Sequence, residues 1–221
     1  MTTKNFEQWL TEDVERAFGL KSVDNETYTP LLEWLTHKKV DSNLSEQVIK
    51  LQRLLKKNVS EWNEDELKIM FIDPLLVEAD FNDLPNYKVF SQRKASIVTE
   101  NVQASGKVEW MVAQGKQIPR NPFFFLHEYK SEKGSGNDPL GQLLITMVYA
   151  QQENQNDMPI YGTYILGRFW FFVLLKDQEY SVSLAFDATK DADLIAILAI
   201  LEKVKKAIRQ HLGLPYPAEN I

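Results

Sequence analysis

The chain has 221 residues and is 44% hydrophobic, with twelve Phe and five Trp, which suits one domain, or one domain with an extension, around a large core. It has no Cys, so disulfides and thiolate metal sites are excluded and the composition fits a reducing compartment. Net charge is −6; residues 1–83 carry 10 Lys and Arg against 17 Asp and Glu, while residues 84–221 carry 15 against 14, which is not the basic profile of a dedicated nucleic-acid binder.

The opening "MTTKNFEQWL" lacks the basic and apolar regions of a signal peptide. The longest strongly apolar run, "FWFFVLL", is too short to cross a bilayer, so the expectation is a cytoplasmic protein with no membrane partner. Residues 4–60 read as helices. Phe6, Trp9, Leu10, Val14, Ala17 and Phe18 fall at helical spacing, and Gly19 sits where a helix would stop. "PLLEWL" and "LSEQVIKLQRLLKK" continue the helical texture. These 60 residues form an expected helical extension, residues 61–221 the main domain, and the helices offer a surface for a homodimer or a protein partner.

"SEWNEDELKIMFIDPLLVEADF" predicts a further helix with Leu67, Met70, Phe71, Leu75 and Leu76 as its apolar stripe and Pro74 as a bend or end. After Tyr87 the texture changes to strands: "NYKVFSQRKASIVTE", "GKVEWMVAQGK" and "NPFFFLHEYK". Asp138 and Pro139 supply an N-cap and a first-turn proline for the helix "LGQLLITMVYAQQEN". Gly167 bends "YGTYILGRFWFFVLLKD" into two strands. "YSVSLAF" alternates, placing Tyr180, Val182, Leu184 and Phe186 on one face. A helix over about Ala192 to Leu212 closes the chain. Strands on both sides of a helix predict an α/β fold, with a mixed central sheet flanked by helices.

The chemistry concentrates near "FFFLHEYKSEKGSG". Strand alternation puts Glu128 and Lys130 on one face. Glu109, inside "KVEWMVA", has Val108 and Trp110 pointing to the face opposite its own. A carboxylate among core residues is costly unless paired or bound to a metal. If the two strands are neighbours, Glu109 and Glu128 converge beside Lys130. Two carboxylates make a hard oxygen site for Mg²⁺ or Mn²⁺, and a nearby ammonium orients a water and offsets developing charge, which is the chemistry of phosphodiester hydrolysis. The plain alternative is a surface ion pair at a strand end.

"VEWMVA … FFFLHEYK … GQLLITMVYAQ" resembles the PD-(D/E)XK nuclease superfamily, and is similar to bacterial members related to the N-terminal nuclease domain of type I restriction subunits. Those relatives carry an N-E-x-x-(T/V)-(R/K) helix start, an I-D-P-L-L end and a G-x-x-(W/F)-x-F hairpin, matched here by "NEDELKIMFIDPLL" and "GRFWFF". The resemblance spans residues 63–175. It implies a restriction-endonuclease-like fold and a metal-dependent nuclease in which Glu109 and Glu128 hold Mg²⁺ or Mn²⁺ with the carbonyl of Tyr129, Lys130 is the catalytic lysine, and Glu64 and Gln142 assist. Aspartate is commoner at the position of Glu109. Tyr149 follows Gln142 by seven residues, where the related pattern has four. Gln142, Thr146, Tyr149 and Glu153 fall on one stripe of their helix, readable as functional or as merely facing solvent.

Lys107, Arg120, Lys133 and Arg168 are candidates to line a phosphate path, or are solvated charges. Trp110 and Trp170 could stack bases but read more plainly as core. The expected partner is nucleic acid, DNA before RNA. The alternative is a catalytically inactive nucleic-acid-binding or scaffold protein with the same fold.

Overall fold

Among the described residues, nine strands form one mixed sheet with helices on both faces. The computed structural model describes residues 2–36, 44–130, 138–154 and 156–215; for residue 2 and residues 122–130 it describes the backbone alone. In chain order the elements are β1 (Thr2–Asn5), a 3-10 turn (Phe6–Gln8), α1 (Thr11–Phe18), β2 (Lys21–Ser22), α2 (Thr29–Leu35) and α3 (Glu46–Asn58). Then follow α4 (Glu64–Leu67), a π turn (Lys68–Ile72), α5 (Asp73–Glu78), β3 (Lys88–Val98), β4 (Val102–Gln114) and β5 (Arg120–Lys130). The rest are α6 (Pro139–Asn154), β6 (Ile160–Leu166), β7 (Phe169–Lys176), β8 (Glu179–Val182), β9 (Phe186–Asp187) and α7 (Asp191–His211). No described helix is long and apolar enough to cross a membrane.

Local chemistry sets the boundaries. Gly19 ends α1 at φ +69, a left-handed geometry that glycine adopts without penalty. Ser45 caps α3 by accepting the Val48 N–H. Asp138 caps α6 as expected, accepting the Gly141 N–H at 3.0 Å. Its second oxygen accepts the Thr11 N–H at 2.7 Å, so one carboxylate ties α6 to the N-terminal segment. Gly167 turns β6 into β7 at φ +57.

The sheet order is β1-β4-β5-β6-β7-β8-β2, with β3 also on β4 and β9 on β7. The β5–β6 pair is parallel; β3–β4, β4–β5 and β6–β7 are antiparallel. Each face buries its own cluster. On one, Trp110, Val112, Trp170 and Phe172 pack with Leu31, Trp34, Leu55, Phe71 and Ile197 from the helices. On the other, Val108, Met111, Ala113 and Val173 pack with Phe6, Trp9, Val14, Leu143 and Met147. Trp110 and Trp170 are therefore core residues.

Several expectations change. The first 60 residues are mostly helical, but Thr2–Asn5 pair in parallel with β4 and Lys21–Ser22 with β8. The same segment supplies Leu31, Trp34 and Leu55 to a core cluster that also holds Phe71, Trp170 and Ile197. The helix expected through Pro74 is interrupted by the π turn, and the proline opens α5. Met70 leaves the apolar stripe and is exposed, while Ile72 is buried in its place, because a π turn rotates the following side chains relative to an α-helix. The alternation of "YSVSLAF" ends at Val182; Leu184 is exposed and Phe186 pairs with Trp170 in a separate strand.

Candidate functional site

The site is built around a notch in β4. One edge of β4 pairs with β3 along its length except at Gln92 and Glu109. The other pairs with β1 up to Ser105 and with β5 from Trp110 onward. Among the described residues no strand pairs with this edge over the stretch between, which contains Gly106 and Glu109. Phe6 packs onto Gly106 so closely that a β-carbon there would sit 2.7 Å from its ring.

Irregularities line up at this level on three adjacent strands. In β3, Gln92 takes a left-handed φ of +54. In β4, the core assignment switches between Val108 and Trp110, which enter opposite clusters. The sequence reading put these two on one face; the kink opposite Gln92 divides them. In β5, the register against β6 shifts between His127 and Tyr129, so Glu128 is the extra residue of a bulge. Bulges re-aim side chains and recur beside active sites. Strict alternation from the Trp110–Leu126 pair would set Glu109 and Glu128 on opposite faces. The bulge means strict alternation does not run through Glu128. The two strands are neighbours, as the sequence argument required. The side chains of Glu128, Tyr129 and Lys130 lie outside the described residues, as do Lys133 and the glycine-rich segment.

Glu109 is only partly exposed. Its Oε2 lies 2.8 Å from the Lys68 ammonium and also accepts from the Gln92 side-chain amide. Asp73 is close enough to both for their charges to act on its carboxyl. Its pKa is raised, first by burial and then by Glu109, with Lys68 opposing. The described part of the site is thus a carboxylate–ammonium–carboxylate group, of which the sequence reading named Glu109 alone. Lys68 occupies the R/K position of "NEDELK" and Asp73 stands in "IDPLL". Both lie within stretches quoted above, but nothing there linked them to Glu109, which is 41 positions beyond Lys68.

Glu64 opens α4 one turn before Lys68 and is exposed. Asn63 and Glu66 cap that helix reciprocally, Asn63 accepting the Glu66 N–H at 2.9 Å and Glu66 the Asn63 N–H at 2.8 Å.

Gln142 and Thr146 are fully buried, which corrects the solvent-facing reading of their stripe. The reason is that α6 is covered by the sheet and by the N-terminal segment. Gln142 donates to the Glu7 carbonyl at 3.1 Å, and Thr146 to Leu143. Tyr149 and Glu153, further along α6, do reach the site. They line a cleft of about 770 Å³ together with Glu109, Gln92, Lys94 and Lys107. Burial raises the Tyr149 pKa, and Glu153 adds to the shift.

The expected phosphate-path residues divide. Lys107 is exposed and lines this cleft, and its cross-strand partner is Lys94. Arg120 borders a different cavity, with Lys116. Arg168 pairs with Asp187 at 3.4 Å and lies over the Phe169 ring. Among the described residues no group of three or more His, Asp or Glu is placed to hold a metal. Glu109 and the neighbouring backbone of β5 still offer hard oxygen donors, which suit Mg²⁺ or Mn²⁺. No family model matches the chain, and no curated protein matches it.

Proposed function

We propose that the chain is a metal-dependent phosphodiesterase acting on nucleic acid, DNA before RNA, on a restriction-endonuclease-like core. The observation that carries this reading is the row of strand irregularities, which sets Glu109 at a polar cleft beside the bulge at Glu128. Glu109 and Glu128 would hold Mg²⁺ or Mn²⁺ with the Tyr129 carbonyl. The bound ion lowers the pKa of a coordinated water and offsets charge on the phosphoryl oxygens. Lys130 orients the water and stabilises developing negative charge. Lys94 and Lys107 hold flanking phosphates, a local cationic patch in an otherwise acidic protein. Glu64 supports the site from one helical turn beyond Lys68. Gln142 positions the cleft wall through the Glu7 carbonyl rather than touching substrate.

The test is cleavage of plasmid, linear duplex, single-stranded DNA and RNA with Mg²⁺ or Mn²⁺. Wild type cleaves at least one substrate, and Lys130→Ala loses about 10²-fold or more of the rate. Equal cleavage by both proteins, or none by either, removes the catalytic claim.

A second reading is a nucleic-acid-binding or scaffold protein whose site no longer turns over. The contacts of Glu109 with Lys68 and Gln92 favour it, because they satisfy the carboxylate without a metal. It predicts duplex binding with no cleavage and no metal response.

A further inference from the structure

The contact between Lys68 and Glu109 is unused in the chemistry above. Lys68 is the first residue of the π turn, and its ammonium reaches 2.8 Å from Glu109 Oε2. The two side chains are 20% and 26% exposed, so the pair is partly desolvated and stronger than an ordinary surface bridge. Gln92 donates to the same oxygen. A carboxylate oxygen offers about two acceptor positions, and an ammonium plus an amide fill them. A divalent cation on that oxygen would meet the ammonium at contact distance, where like charges repel strongly.

We propose that Lys68 is the resident counter-ion of Glu109 and yields that contact when a divalent cation binds, so that the cost of parting Lys68 from Glu109 sets the metal affinity of the cleft. This rests on the reading of Glu109 as a metal ligand. Lys68 has a second anionic neighbour to turn to, since the Asp73 carboxyl lies within its electrostatic reach. Lys68 is therefore a positioning residue. In the metal-free protein it helps to hold Glu109 in place. In the metal-bound protein it becomes a competitor displaced toward Asp73.

The experiment is a Mn²⁺ titration without nucleic acid, followed by calorimetry and by the electron paramagnetic resonance of free Mn²⁺. Circular dichroism melts check that each variant is folded. Lys68→Met keeps the stem and removes the charge. It is expected to bind Mn²⁺ about tenfold more tightly, the order of magnitude expected when one partly desolvated ion pair no longer has to be parted. Lys68→Arg keeps the charge and binds as wild type does. Glu109→Gln loses the site. Damage to the fold would weaken binding, so tighter binding by Lys68→Met cannot come from a merely structural role. Equal or weaker binding by a folded Lys68→Met, with binding still lost in Glu109→Gln, overturns the role of Lys68 and leaves Glu109 as a ligand. No Mn²⁺ binding by wild type or Lys68→Met, or undiminished binding by Glu109→Gln, overturns both.

Discussion

Gly141→Ala tests whether the cleft wall is held by close backbone contact. Gly141 lies in the first turn of α6, where Ala would ordinarily be favoured by about 1 kcal/mol. Here an added β-carbon would sit 2.5 Å from the Leu10 carbonyl carbon, the Thr11 nitrogen and the Trp9 oxygen. Comfortable contact needs roughly 3.5 Å, so helix and segment must part by about 1 Å. The atoms in the way are backbone and cannot rotate aside. Overpacking of this kind costs about 1–3 kcal/mol. The same retreat stretches the bond from Thr11 to Asp138, now 2.7 Å, and a hydrogen bond to a charged group is worth about 1.5–3 kcal/mol. Allowing for the propensity gain, the net loss is about 1.5–5 kcal/mol. Urea unfolding followed by far-ultraviolet circular dichroism reads it from the midpoint at constant slope. Gly213→Ala is the control. Gly213 has φ +65 and open space around the missing carbon, so only backbone strain of about 1 kcal/mol applies. A Gly141→Ala protein as stable as wild type, or no worse than Gly213→Ala, would refute the close-contact argument.

Two further outcomes follow from the cleft. If Lys94 and Lys107 both contact phosphates, the double substitution to Ala flattens the salt dependence of duplex binding by about 1.8 in log K against log salt, roughly 0.9 for each contact. Fluorescence anisotropy in EDTA measures this without cleavage, and an unchanged slope would remove both residues from the binding surface. Asp73 makes a pH prediction. Its raised pKa means the folded protein holds the proton more tightly than the unfolded chain, so stability falls as pH rises from the ordinary value of 3.8 through the higher folded value. Asp73→Asn should therefore gain stability relative to wild type across that rise, and parallel pH–stability curves would contradict it.

Much of the architecture is written in local periodicity. The strands β3 to β7 and the helices α3, α6 and α7 fall where alternation, helical spacing and caps put them, because each signal acts within one element. What the sequence hides depends on contacts between elements. "TTKN" is polar and short, and becomes a strand only because β4 has a free edge beside it. Gln142 and Thr146 read as a polar stripe, functional or facing solvent, but α6 is covered on both sides. Met70 is misread because nothing in "LKIMFI" announces a π turn. At the site, Glu109 was legible as a carboxylate among apolar neighbours. Its Lys68 partner was not, since the two meet across separate elements. Nor could alternation anticipate the kink at Gln92 or the bulge at Glu128, which change the faces that alternation was used to assign.

The pairing of Thr2–Asn5 with Val102–Ser105 also bears on the order in which the molecule assembles. Those two segments meet only after a long loop has closed, and such contacts are entropically late. The sheet from β3 to β7 can form from neighbouring hairpins and one crossover before the N-terminal segment arrives. The wall that Phe6 and Glu7 give the cleft is therefore joined to the sheet through contacts distant in sequence: four pairings, the clasp at Asp138, the Gln142 bond to the Glu7 carbonyl and the burial of Phe6 and Trp9 in the second core cluster. Releasing this segment to admit a bulky polymer would unpack Phe6 and Trp9, so access through this wall is coupled to the stability of the core on that face.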